Sequence, residues 1–267
     1  QARYRKKPTL EQYLSLFAGV KDEKRVGEAS TGYLYSRHAP TEIKEFSPYG
    51  RIIILLRNPV DMMYSMHSES LYQGNEDLDD FEAALDAEMD RKRGLRVPRN
   101  AVTDLMLFYR EAARYTDYVE RYIEVFGRET VLIIVHDDFK YEMTASYRNT
   151  LRFLEVDEEF SPQFEVKNLN KRVRNKSLHR IIQSHSGVVR RTIRSRAPHR
   201  FRGWLEKVYW RFNISRVPRP RLDSDLRLRL QAEFVPEVER LSELLGRDLT
   251  HWCRPESTST SVVGGER

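Results

Sequence analysis

A chain of 267 residues with 40% hydrophobic and 11% aromatic content can bury a sizeable core within one domain of ordinary size. The single cysteine, Cys253, excludes an intramolecular disulfide and suits a reducing, cytoplasmic setting, which is the expected location. No apolar run reaches the roughly 18 residues of a membrane span, and the formal charge of +6 is informative less for its size than for where it falls.

Taken in chain order, a helix is predicted over 9–18 and an extended segment around 25–28, where Glu28 stands beside Ser30 and Thr31. Ile52, Ile53, Ile54, Leu55 and Leu56 form an uninterrupted aliphatic run, which suits a parallel strand buried on both faces. Arg57 falls at the carboxyl end of that strand. Asn58 is a good N-cap, Pro59 is pre-organised for the first helical position, and Asp61 complements the positive end of the helix dipole, so a helix is predicted from 59 to about 72. Ligands of open α/β sheets bind beyond the carboxyl ends of the strands, and a guanidinium there favours phosphate or sulfate. Ser65, eight residues after Arg57, shares that anion if the arginine folds back over the helix start. His67 lies on a different face of the helix and reads as a surface histidine.

Residues 75–90 are acidic with Phe81, Ala84, Leu85 and Glu88 in helical spacing, and 91–100 read as a loop whose mixed charge fits the lining of an acceptor cleft. One long amphipathic helix is expected over 101–126, with Leu105, Phe108, Tyr109, Ala112, Tyr115, Val119, Tyr122 and Phe126 as its buried stripe. Gly127 ends it, and 131–135 form a second apolar strand before His136, Asp137, Asp138 and Phe139. A helix follows over 143–154, then a polar, basic connection over 161–174 without regular structure. A helix over 178–193 carries Ile181, Ile182, Val188 and Val189. The chain breaks again at 217–220, and 222–245 is helical, kinked near Pro236 and capped by Gly246, before a disordered tail over 254–267. Alternating strand, turn and helix argue for a parallel sheet flanked by helices.

Between Lys167 and Arg221 there are seventeen Lys or Arg and one acid, Glu206, so a localised basic face stands against a net acidic remainder. Such a face attracts a polyanion: a nucleotide, an acidic acceptor, nucleic acid or a membrane surface.

The order strand, Arg57, Pro59, helix, Ser65 resembles the 3′-phosphate-binding element of sulfotransferases that use 3′-phosphoadenosine 5′-phosphosulfate (PAPS). Upstream, RVGEASTGYLYS (25–36) is similar to the family's Gly-Glu-(Lys or Ala)-Ser segment. Downstream, DDFEAALDAEMDRKRG, FGRETVLIIVHDDF and RPRLDSDLRLRLQAEFVPEVERLSELLGRDLTHW are similar to later blocks of bacterial, heparan-type sulfotransferases, so the resemblance runs from about residue 10 to 252. It implies an α/β fold, a P-loop NTPase-like parallel sheet flanked by helices with a helical C-terminal part. It also implies transfer of a sulfuryl group from PAPS to a hydroxyl or amine of a carbohydrate, with no metal. Arg57 and Ser65 are then the cofactor-binding residues. The basic loop with which relatives close the site matches NLNKRVRNKS, whose Arg172 and Arg174, with Lys171 behind them, are the further expected contacts.

The resemblance also marks what is not found. None of the glycines opens a Gly-Thr-Thr or Gly-Lys-Ser sequence that would hold a 5′-phosphosulfate, and the first matching block, LEQYLSLF, is similar to a segment that follows that loop. The expectation is a sulfotransferase domain over 1–253, truncated before its first strand and 5′-phosphosulfate loop and inactive as an incomplete fragment. The catalytic base is expected upstream of residue 1, and Ala29 stands where relatives often carry a lysine. Glu28 and His67 are the remaining candidates. Two other classes stay open: a nucleic-acid- or polyanion-binding module acting through the 167–221 face, and a nucleotide kinase or hydrolase fragment.

Overall fold

The computed structural model describes residues 9–99, 101, 104–164, 171–174 and 211–255. Two compact units divide the chain, residues 1–221 and 222–267. The predicted helix 178–193 and most of the basic 167–221 face lie outside the described residues, as does the tail from 256 onward.

The first unit opens with α1 (Leu10–Ser15), whose Thr9 and Gln12 form a reciprocal capping box. The predicted extension at 25–28 has no regular structure, and α2 (Gly32–Tyr35) and α3 (Ala39–Phe46) follow. β1 (Ile52–Leu56) and β2 (Val131–Val135) pair in parallel and in register, from Ile52 against Val131 to Leu56 against Val135. Burial is uneven along β1: Ile54 and Leu56 are buried but Leu55 is 63% exposed, contrary to a strand covered on both faces. At that point the strand has no covering element among the described residues.

Between the strands run α4 (Pro59–Gln73), α5 (Phe81–Asp86), α6 (Glu88–Lys92), α7 (Tyr109–Ala112) and α8 (Tyr115–Phe126). α4 begins as predicted, with the Asn58 side chain accepting from the Val60 N–H at 3.0 Å, and ends at Gly74 in the left-handed region at φ 74°. The single helix expected over 101–126 is instead three pieces, a 3-10 turn at Asp104–Leu107 followed by α7 and α8. The breaks at Phe108 and Arg114 leave Tyr109, Ala112, Tyr115, Val119, Tyr122 and Phe126 buried, so the apolar pattern survives while the axis does not. Polar tertiary partners override the helical spacing here. Arg91 donates to both oxygens of Glu76 at 2.9 and 2.7 Å, the Tyr109 hydroxyl donates to the same carboxylate at 2.7 Å, and the Arg110 N–H donates to Glu88 at 3.0 Å. Both side chains of the Glu76–Arg91 pair are 0% exposed.

His67 is not on the surface. It is 2% exposed, packs against Phe81 and Tyr109, and bonds through Nε2 with the Leu78 carbonyl at 2.9 Å. After β2 come α9 (His136–Tyr141) and α10 (Met143–Leu154), both packed on that strand. The C-terminal end of α10 is held by two arginines. Arg51 donates to the Phe153 carbonyl and to Glu155, while Arg25 donates to the Leu154 carbonyl at 2.8 Å and to Glu155 at 2.9 Å. Part of the connection read as irregular is a strand: β3 (Lys171–Val173) pairs antiparallel with β4 (Ile214–Arg216), Arg172 opposite Ser215, and packs on α4. Nothing local in either triplet signals a pairing across some forty intervening residues.

The second unit is a small helical cluster. Asp223 caps α11 (Ser224–Glu233), accepting from the Asp225 and Leu226 N–H groups. α12 (Val235–Leu245) starts with Pro236 in its first turn and stops at Gly246, φ 63°, as the sequence pattern predicts. Leu226, Leu230, Phe234, Val238, Leu241, Leu249 and Trp252 form its core, and Gln231 ties the chain end by donating to the Trp252 and Arg254 carbonyls at 3.1 and 2.9 Å. Cys253 is half-buried beside Trp252, and burial pushes its thiol above the usual value.

Candidate anion site

The carboxyl edge of the parallel pair is where chemistry-bearing side chains converge. Leu56 and Val135 end the strands in register, so the next residues, Arg57 and His136, begin the two departing segments side by side. Two turns into α4, Ser65 accepts a hydrogen bond at 2.9 Å from Nη2 of Arg219, a residue 154 positions away. The Arg219 guanidinium also lies over the Tyr64 ring, 5.5 Å from its centroid, a cation–π contact that fixes its plane. Arg219 sits between Pro218 and Pro220, and a residue before proline is confined to extended backbone, which carries the segment after β4 along α4.

Burial, and after it the charge of Arg57, lowers the Arg219 guanidinium from its usual value, although an arginine remains a cation throughout. Two cations thus lie within electrostatic range of each other along the first two turns of α4. Burial also pushes the Tyr115 hydroxyl well above its usual value, and burial followed by the Arg57 charge pushes the His136 imidazole below its own. The Tyr115 hydroxyl lies against the Arg57 backbone without a well-directed bond, and neither it nor Nε of Arg219 has a hydrogen-bond partner among the described residues. A buried donor left unpaired costs about 1–3 kcal/mol. Two such groups around Arg57 suit an added acceptor with several oxygens.

Of the residues singled out in the sequence, Ser65 is bonded to Arg219, and Arg57 is close enough for its charge to act on that guanidinium. Arg172 lies in β3, against α4, and Arg174 is exposed just after that strand, its N–H donating to the Asn213 carbonyl at 2.8 Å. Glu28 is exposed on the connection before α2, where its partners are Tyr33, which donates to it at 2.7 Å, and Tyr13. That bond, ahead of burial, pushes the Tyr33 hydroxyl up to about 12. Among the described residues, no group of three or more His, Cys, Asp or Glu could hold a metal ion. Arg219 was legible only as one of the seventeen cations of the 167–221 face; its segment otherwise reads as a proline break, and nothing local singles it out. His136 offered a signal that went unused: it follows the second apolar strand as Arg57 follows the first.

The family model described as a sulfotransferase domain matches residues 2–191. Among solved structures, the chain is similar to a sulfotransferase from Alicyclobacillus acidocaldarius, with 28% sequence identity and a TM-score of 0.64 over 92% of this chain and 74% of that one. No curated protein matches the chain.

Proposed function

Since the chain belongs to the sulfotransferase family, we propose that its site takes the adenosine bisphosphate end of PAPS and that the sulfuryl acceptor is a hydroxyl or amine of a carbohydrate. The observation that carries the reading is that Arg219, bonded to Ser65 in the second turn of α4, lies within reach of the Arg57 charge at the helix start, with its Nε unpaired among the described residues. In this reading Arg57 and Arg219 hold the 3′-phosphate and Ser65 orients Arg219 or donates to a phosphate oxygen. Charge-assisted bonds from two guanidiniums to one phosphate are about twice as strong as neutral ones, and Arg suits the fork geometry that phosphate oxygens present. Arg172 and Arg174 are the proposed contacts to the rest of the nucleotide, favoured by the packing of β3 on α4.

When bound, PAPS supplies an already activated sulfuryl group, so this chain's residues bind and orient it rather than activate it. The carbohydrate acceptor rests on the heparan-type resemblance of the downstream blocks. Calorimetry with adenosine 3′,5′-bisphosphate and with adenosine 5′-monophosphate tests the cofactor half. The bisphosphate is expected to bind at least about tenfold more tightly, the equivalent of about 1.4 kcal/mol from one phosphate contact. Equal affinity for the two nucleotides would remove the assignment of Arg57 and Arg219 to the 3′-phosphate.

A further inference from the structure

We propose that His136 belongs to the anion site and takes up a proton when an anion binds beside Arg57. This rests on the nucleotide reading above and adds a regulatory property to the same site. The placement comes from strand register: Leu56 pairs with Val135, so Arg57 and His136 leave the sheet from neighbouring positions at its carboxyl edge. His136 is exposed, and its ring makes no hydrogen bond among the described residues. It is therefore available to a ligand that Arg57 attracts.

The charged groups facing His136 are Arg57 and Asp61 from the junction of β1 and α4, and Asp137 and Lys140 on its own helix. No charge from α10, which also packs on α9, ranks with these four. Although His136 is exposed as a residue, desolvation of the covered part of its ring, then Arg57 and Lys140, disfavour the imidazolium, the two aspartates favour it, and the balance falls on the neutral side of an ordinary histidine. A phosphate or sulfate dianion seated at Arg57 reverses that balance by offsetting the repulsion and adding attraction of its own. The imidazole pKa then rises on binding, and a proton is drawn from solvent at any pH between the free and bound values. Affinity is accordingly highest below the free pKa, falls as the pH climbs to the bound pKa, and is level above it.

The test is calorimetric titration between about pH 5.5 and about pH 8, the range in which histidine changes charge, in two buffers of different ionisation enthalpy. The probes are adenosine 3′,5′-bisphosphate and inorganic sulfate. Sulfate stays a dianion throughout, whereas a phosphate monoester gains a proton near pH 6 and would mask part of the effect. Wild type is expected to take up a fraction of a proton with sulfate and to bind it about tenfold more tightly at the acidic end, corresponding to a shift of one pKa unit. His136→Gln is expected to abolish both effects while keeping the wild-type melting transition, and His136→Lys, charged at every pH used, to bind more tightly than His136→Gln at the alkaline end. Equal proton uptake in wild type and His136→Gln overturns the inference, as does a lysine variant that binds no better than the glutamine variant. Binding of neither probe to wild type at any pH overturns the nucleotide reading itself, which separates the two failures.

Discussion

In the proposed site Arg57, Ser65 and Arg219 have different parts, and truncating each should leave a different trace. Arg57→Ala removes a partly desolvated, charge-assisted contact and is expected to weaken adenosine 3′,5′-bisphosphate binding by about 2–4 kcal/mol. Ser65→Ala removes a single hydroxyl bond and should cost less, about 1 kcal/mol. Because Ser65 accepts from Arg219 in the free protein, the Ser65→Ala and Arg219→Ala effects should not add, whereas additive losses in a calorimetric double-mutant cycle would show that the two act independently. Tyr115→Phe tests the unpaired hydroxyl from the stability side: deleting a buried donor without a partner should raise unfolding free energy by about 1 kcal/mol. A loss of that size in denaturant titration would mean the hydroxyl is bonded after all. Arg57 and Ser65 were legible as neighbours on one strand–helix junction because strand, Asn-Pro and helix lie within one short stretch of sequence. Arg219 was not, since its partner is 154 residues distant, and His67 was misread because its partner is a loop carbonyl that no helical spacing reveals.

At the scale of elements, the segment between α4 and α8 depends on buried charge. Glu76 accepts from Arg91, from Tyr109 and from the Asp77 and Leu78 N–H groups. Burial acts to raise the Glu76 carboxyl, yet the bonds from Arg91, Leu78 and Tyr109 hold it below its usual value. A carboxylate whose pKa is depressed on folding stabilises the fold above its unfolded value and loses that contribution as the pH falls through the folded one. Glu88, raised by burial despite Arg110, has the opposite sign, giving up stability as the pH climbs through its elevated value. Arg91→Ala is expected to cost about 3–5 kcal/mol at neutral pH, because it strands a buried carboxylate, while Glu76→Gln with Arg91→Met should cost much less. Denaturant midpoints for the two variants check this, and equal losses would show that packing rather than charge is what Arg91 supplies. The same network explains why the stripe over 101–126 foretold the burial of Tyr109, Ala112, Tyr115, Val119, Tyr122 and Phe126 but not the helix axis; Phe108, at the break, is only half-buried, and the Leu105 side chain lies outside the described residues. The spacing of apolar residues records which side chains face inward, but Glu76 and Glu88 decide where the backbone must turn to meet them. The pairing of β3 with β4 was invisible for a related reason, since two polar triplets acquire strand character only from each other.

Over the whole molecule, 46 basic against 40 acidic residues leave a field of modest size, and its effect on the site depends on how the charges are grouped. Arg57 and Arg219 act on one another, and β3 brings its basic sequence against the same helix. Contact charges and distant charges respond differently to salt, because interactions beyond a Debye length of about 10 Å at 0.1 M are screened whereas a seated, partly desolvated pair is not. The distant charges should therefore govern how quickly an anionic nucleotide arrives, and Arg57 how long it stays. Raising salt from about 0.05 to about 0.5 M is expected to slow association of adenosine 3′,5′-bisphosphate severalfold in wild type and in Arg57→Ala alike. Arg57→Ala itself should act mainly by speeding dissociation at every salt concentration. Stopped-flow binding separates the two rates. If the salt dependence of association disappears with Arg57, steering originates in that one contact, and the grouping of charge along the sheet edge has no part in capture.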